Sequence, residues 1–235
     1  MWLPRFFACR PKGVIPMFCE CHDIMVRYGQ AVVLDVEHLA IPAGRITAIS
    51  GPNGAGKTTL LEVMALLRRP TRGRVRLWGQ PARPGDRKLQ RKVVMVMHSG
   101  YMFRGSVRDN VTYGLKARGL RTHKAKIRAA KALQAVDLSE FARHDVARLS
   151  AGQRQRVNLA RAIAIAPRAI LLDEPSANVD AQTVEIICNL LCRLRDEQAT
   201  TIVHTCPANS RLREITDQFV ELTNGQVQNN NKHAD

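Results

Sequence analysis

The chain has 235 residues, 45% of them hydrophobic, which suits one large domain, or a core with a small insertion, and excludes global disorder. Thirty-six Lys and Arg against 20 acids leave a net charge of +16, pointing to anionic partners: nucleotide, nucleic acid or a phospholipid surface. No run approaches the ~20 apolar residues of a membrane span.

Residues 1–16 show no periodicity. Pro4, Arg5, Arg10, Pro11 and Lys12 break up any apolar stretch, so the segment makes a poor signal peptide and export is not expected. From Met17 the pattern becomes orderly. "DIMVRYG", "VVLDVEHLAI" and "GRITAIS" predict short strands between Gly or Pro turns. "KTTLLEVMALL" predicts a helix with Leu60, Leu61, Met64 and Leu67 on its apolar face. "GRVRLWG" and "KVVMVM" return to strand character.

Residues 105–148 read as a basic, helical, inserted section. From Arg83 to Lys131 there are 14 Lys and Arg against Asp86 and Asp109, a local charge of +12. That is either a solvated surface or a face turned to an anionic partner or membrane. "QRQRVNLARAIAIA" predicts an amphipathic helix, and "AILLDEP" a central parallel strand ended by acids. A helix near 181–197 follows, then the strand "TTIVHT", then a hairpin about Asn224-Gly225. The 228–235 tail is polar, and disorder is expected there. Strand–helix alternation predicts an α/β fold with a mostly parallel sheet. The six cysteines fit neither a zinc spacing nor a secreted framework, so reduced thiols in a cytoplasmic protein are expected.

The chemistry begins at "GPNGAGKT", Gly51 to Thr58, which fits G-x-x-x-x-G-K-[ST] between a strand and a helix. Gly51, Gly54 and Gly56 let backbone N–H groups converge on phosphate oxygens, and the helix start adds its dipole. Lys57 can reach the β- and γ-phosphates, and the Thr58 hydroxyl can ligate Mg²⁺. Asp173, ending the apolar strand, is a second Mg²⁺ ligand candidate, and Glu174 a candidate general base. "LSAGQ" places Ser150 at a helix N-cap, its hydroxyl and the following N–H groups open to an anion. Two phosphate-binding helix starts in one chain imply two subunits head to tail, each completing the other's site.

"GPNGAGKTTLL" and "LSAGQRQRVNLARAIAIAPRAILLDEPSANVD", in that order, resemble the ATP-binding subunit of an ATP-binding-cassette (ABC) transporter over residues 17–227. The resemblance implies a P-loop cassette fold: a mostly parallel core sheet, an antiparallel β subdomain and a helical subdomain at about 99–150. It implies ATP and Mg²⁺ as cofactors. ATP would contact Tyr28, stacked on adenine, and the loop residues Gly51, Pro52, Asn53, Gly54, Ala55, Gly56, Lys57, Thr58 and Thr59. Ser150, Gly152 and Gln153 would touch the γ-phosphate held by the partner subunit, and Asp180 would cross the interface.

Three departures from the family pattern stand out. Ala151 replaces the first glycine of LSGGQ, costing ~1 kcal/mol if the position requires a positive φ and little otherwise. His98 stands where a glutamine would contact Mg²⁺ and water, which implies weakened coupling or a substituted contact. The family's γ-phosphate histidine position counts to Pro207, while His204 reads as a packed strand residue.

The reading is an ATPase subunit at the cytoplasmic face of the inner or plasma membrane, powering a separate permease. An importer of the tungstate or phosphate oxyanion type, with a solute-binding protein in the same system, is the nearest resemblance. Family starts lie near Met17, so residues 1–16 read as an N-terminal extension from a mis-assigned start. Two alternatives stay open: a degenerate regulatory cassette, and a soluble ABC-type ATPase acting on nucleic acid or ribosomes. The single cassette argues against nucleic acid as a partner.

Overall fold

The computed structural model describes residues 16–98, 100–207 and 210–228. Residues 1–15 of the expected extension and 229–235 of the expected tail lie outside them.

Long strands β1 (Met17–Tyr28) and β2 (Ala31–Pro42) turn at Gly29 and pair antiparallel. β1 therefore starts six residues before the run that periodicity marks. Asp23, at φ 52, interrupts the alternation within it. The all-but-buried β3 (Ile46–Ser50) leads through the glycine loop into α1 (Lys57–Met64). That helix is shorter than predicted because Leu66 adopts φ 57, which turns the chain and leaves Leu67 62% exposed instead of on the buried face. β4 (Arg72–Leu77) and β5 (Gln80–Ala82) form a hairpin. Together they complete an antiparallel sheet of order β2-β1-β4-β5.

Short α2 (Arg87–Gln90), capped by Asp86, precedes β6 (Val93–Val96). The basic section then folds as α3 (Val107–Ala117), α4 (Thr122–Ala135) and two 3-10 turns. It leaves and rejoins the body at one neck. There the Val107 N–H donates to His144 O (3.0 Å) and the Val146 N–H to Gly105 O (3.1 Å). Buried Asn110 fixes the entry, accepting from Phe103 N and donating to Phe103 O.

α5 (Ala151–Ala164), β7 (Ala169–Leu172), α6 (Ala181–Gln198), β8 (Thr201–Thr205), β9 (Gln218–Thr223) and β10 (Gln226–Gln228) follow. The hairpin at Asn224-Gly225 has φ 50 and 78 at its two central residues, as an Asn-Gly turn requires.

The second sheet has the order β10-β9-β3-β8-β7-β6, parallel apart from its β9–β10 hairpin. One apolar core joins its Ile49, Leu171 and Val203 to α1 and the antiparallel sheet. The other joins Ile46, Ile170 and Ile202 on the opposite face to α5, α6 and the helical section. Alternate residues of each strand thus serve two cores, which is why the parallel strands read as continuous apolar runs. This is the expected α/β cassette architecture. Chain order hides one fact that matters: β8, late in the sequence, lies between β3 and β7.

Candidate active site

A loop leaving the carboxyl end of a parallel strand and entering a helix has backbone N–H groups to offer, and here the glycines set their direction. Gly51, at φ 149, leaves no room for a side chain: a Cβ would run into the Leu222 carbonyl. Gly56 caps α1 in a left-handed conformation (φ 97) with no side-chain cap, so the first N–H groups of the helix have no partner of their own. The hairpin holds the loop from behind, since the Gly225 N–H donates to Ala55 O (3.1 Å). Lys57 is almost buried, and its Nζ donates to Gly51 O (2.8 Å) and Pro52 O (3.0 Å), curling over the loop.

β7 is buried throughout and ends at Asp173, whose N–H bonds to Val96 O. A buried carboxylate needs partners, and Asp173 has two: Thr58 Oγ1 donates to Oδ2 (2.8 Å) and Thr205 Oγ1 to Oδ1 (2.8 Å). The same Thr205 oxygen accepts the Glu174 N–H (2.8 Å). Glu174 itself sits at φ 47, an unfavourable backbone for a residue with a Cβ, held by this bond and its neighbours.

Val33, Asn53, Gly54, Gly56, Lys57, Thr58, Thr59 and Glu174 line one cavity of about 410 Å³. Gly51 and Pro52 join them through the carbonyls that accept from Lys57, Ala55 through its N–H bond to Pro52 O, and Asp173 through Thr58. These predicted residues are brought together. Thr58 and Asp173 present hard oxygen donors 2.8 Å apart, a donor set suited to Mg²⁺. Among the described residues no group of three or more His, Cys, Asp or Glu is placed to hold a metal ion by itself.

The other predicted residues lie outside that cavity lining. Tyr28 is 46% exposed, with the Arg68 guanidinium 4.6 Å over its ring and Arg68 in turn paired to Glu62 (2.5 Å). Ser150 caps α5 through a capping box: its Oγ accepts the Gln153 N–H (3.2 Å), and Gln153 Oε1 accepts the Ser150 N–H (2.9 Å). The expectation of a free hydroxyl and free N–H groups is corrected in part. The cap takes the Gln153 N–H and leaves the Ser150 O–H with the Ala151 and Gly152 N–H groups. Ala151 lies in the first turn with a negative φ, so replacing glycine there carries no backbone cost. Gly152 is required by packing. A Cβ would come 2.6 Å from Thr183 Oγ1 and 2.9 Å from Asp180 Oδ2. Asp180 caps α6, and the Thr183 N–H and hydroxyl hold its carboxyl below the usual range.

The strand-end expectations fare unevenly. His204 is a packed strand residue, as expected: it is fully buried and bonded through Nε2 to Thr216 Oγ1 (3.0 Å), and burial lowers its pKa to about 4. The residue that counting assigns to the γ-phosphate position, Pro207, lies two residues beyond the end of β8. Pro207 is exposed, and the preceding Cys206 is buried, which pushes its thiol pKa up. His98 is exposed, two residues beyond the end of β6. Sequence reasoning missed Thr205, whose only signal was a hydroxyl residue at the carboxyl end of an apolar strand.

A family model for the ABC transporter matches residues 34–177. The chain is 36% identical over 200 residues to the tungstate uptake system ATP-binding protein TupC of Peptoclostridium acidaminophilum, covering 85% of this chain and 92% of that protein. Over 206 residues it is 35% identical to the sulfate/thiosulfate import ATP-binding protein CysA of Mycolicibacterium paratuberculosis. That match covers 88% of this chain but only 57% of the length of CysA. Among solved structures, the dimeric post-hydrolysis state of the ATP-binding cassette MJ0796 bound to ADP and Pi has a TM-score of 0.82 at 28% identity. The match covers 89% of this chain and 96% of that one. With the loop, the acid-ended strand and the second helix start in the same order and architecture, the chain belongs to the ABC transporter family as a nucleotide-binding cassette.

Proposed function

We propose that this chain binds and hydrolyses ATP to drive transport through a separate membrane permease, working as a head-to-tail pair of cassettes at the cytoplasmic face of the membrane. The observation that carries this reading is the cluster of Lys57, Thr58, Asp173, Glu174 and Thr205 at the ends of three adjacent parallel strands. The glycine loop and Lys57 bind the phosphates. Thr58 and Asp173 would hold Mg²⁺, which when bound offsets charge on the phosphate oxygens. Glu174 orients a water molecule in line with the terminal phosphate and accepts its proton as it attacks, and ADP and phosphate leave.

Ser150 and Gly152 N–H of one subunit cap the terminal phosphate held by the other, so ATP joins the pair and hydrolysis releases it. The similarity to TupC and CysA favours an importer of oxyanions, with a solute-binding protein supplying the permease. No helix of the described residues is long and apolar enough to cross a membrane, which fits attachment through the permease. The intact carboxylate–threonine cluster argues against a degenerate cassette.

Phosphate release from Mg²⁺-ATP by the purified chain, alone and with its permease, tests the reading. ATP binding with no release above that of Glu174→Gln would leave only the regulatory cassette. No ATP binding at all would end the proposal.

A further inference from the structure

Beside the antiparallel sheet lies a second cavity, of about 1120 Å³ against 410 Å³ for the one around Lys57 and Thr58, and the two share no lining residue. Its arginines come from three successive segments. Arg68 and Arg69 follow α1, Arg72, Arg74 and Arg76 lie along β4, and Arg83 comes just after β5. Among the described residues no lysine lines it, and its acids are Asp23 and Asp86. The lining therefore carries a surplus of four positive charges around one concavity.

A single exposed arginine without an acid needs no explanation. Six around one cavity add their potentials, and a concave wall of one sign concentrates counter-ions. The chain answers this charge only in part. Arg68 pairs with Glu62, and Arg72 lies 4.0 Å from Asp35. Asp86 is committed to the start of α2, where it accepts the Lys88 and Leu89 N–H groups. The walls are also fixed in advance. Gly73, at φ 100, lets β4 press so closely on β1 that a Cβ would run into the Asp23 carbonyl. The Thr71 N–H donates to Met25 O (2.7 Å) and Thr71 Oγ1 accepts the Arg27 N–H (3.1 Å), which bonds the turn after α1 to β1. Pro70, Pro81 and Pro84, all in the lining, have preset φ. A backbone ordered beforehand lowers the cost of binding.

We infer that this cavity binds a small oligophosphate, an anion of two or three joined phosphoryl groups, at a site separate from the nucleotide cavity. Guanidinium forks take phosphate oxygens two at a time, which lysine does not. A terminal phosphoryl group carries a charge of about −1.5 to −2, so one phosphate meets under half of the surplus and two or three meet it. The volume is that of a small-molecule site. No Phe, Tyr or Trp lines it among the described residues, so it lacks the stacking platforms of a single-stranded nucleic-acid groove. None of the exposed large hydrophobic side chains borders it either, which argues against a membrane surface. The inference does not depend on ATP hydrolysis at Glu174.

The test is calorimetric titration of the full chain carrying Lys57→Ala, which disables the glycine loop, with inorganic tripolyphosphate, ATP without Mg²⁺, and orthophosphate. Tripolyphosphate is expected to bind at least about tenfold more tightly than orthophosphate. Adding Arg74→Gln with Arg83→Gln is expected to weaken it about tenfold or more. Arg121→Gln with Lys124→Gln, which removes the same charge from exposed positions at the start of α4, is expected to change it less than about twofold. ATP binding as tightly as tripolyphosphate would make a nucleotide's phosphate tail the ligand, and weaker ATP binding a free phosphate chain; both support the site. Should a variant not fold, Lys57→Gln, or Arg69→Gln with Arg83→Gln, is read by the same ratios. No tripolyphosphate binding, or equal losses in the two paired variants, overturns the inference. So does tighter binding of single-stranded RNA or of anionic phospholipid vesicles that the Arg74 and Arg83 changes abolish, since the surface would then belong to a macromolecule.

Discussion

Thr205 and Asp173 are 32 residues apart in sequence and joined by a 2.8 Å hydrogen bond, Thr205 Oγ1 donating to Asp173 Oδ1. The same oxygen accepts the Glu174 N–H, so one hydroxyl sets both the carboxylate expected to hold Mg²⁺ and the backbone of the expected general base. Thr205→Val keeps the shape and removes both bonds. ATPase turnover is expected to fall about ten- to a hundredfold, with a raised requirement for Mg²⁺, while Thr205→Ser restores most of it. Steady-state phosphate release across a Mg²⁺ titration checks this. An unchanged Mg²⁺ requirement in the valine variant would count against the positioning role.

Glu174 acts in the proposed mechanism as a base and not as a binding group, and the two roles give different kinetics. Glu174→Gln preserves size and hydrogen bonding but cannot take a proton. Turnover is expected to fall by about 10²–10⁴ with nucleotide affinity held within a few fold. In light scattering, the variant with Mg²⁺-ATP is expected to remain a dimer while the unaltered chain returns to monomer as ATP is consumed.

Gly152, in the first turn of α5, packs against the side chains of Thr183 and Asp180 at the start of α6. Gly152→Ala places a methyl group 2.6 Å from Thr183 Oγ1, so the Thr183 and Asp180 side chains that cap α6, or the helix starts themselves, must shift. The glycine loop lies outside this contact. The variant is therefore expected to bind ATP normally as a monomer, to lose ATP-dependent dimerisation and to turn over at least about tenfold more slowly. Normal ATP-induced dimers would show that the α5 start is not part of the subunit interface.

His204 is neutral and buried, with its folded pKa lowered from 6.5 to about 4 by desolvation. The unfolded chain gains this proton near pH 6.5 and the folded chain only near pH 4. The associated stability is therefore fully present above pH 6.5 and is lost as pH falls towards 4. The loss is on the order of 3 kcal/mol. Melting curves from pH 7.5 to 4.5 should fall less steeply for His204→Gln, which can still donate to Thr216, than for the unaltered chain. Parallel curves would exclude His204 as the source.

The phosphate loop was legible from eight consecutive residues because its conformation is local: glycines tolerate the positive φ values, and the adjoining strand and helix declare themselves by periodicity. The acid-ended strand, the capped α5 and the Asn-Gly hairpin were legible for the same reason. What the sequence could not disclose depends on which distant segments become neighbours. The insertion of β8 between β3 and β7 brings Thr205 to Asp173. Strand register sets Thr205 opposite Ile49 at the end of β3, beside the glycine loop. A left-handed Leu66, with no glycine to announce it, ends α1 early and exposes Leu67. Local backbone preferences act over a few residues and can be read from them. Strand order and register arise from burying two apolar faces at once, which involves the whole chain.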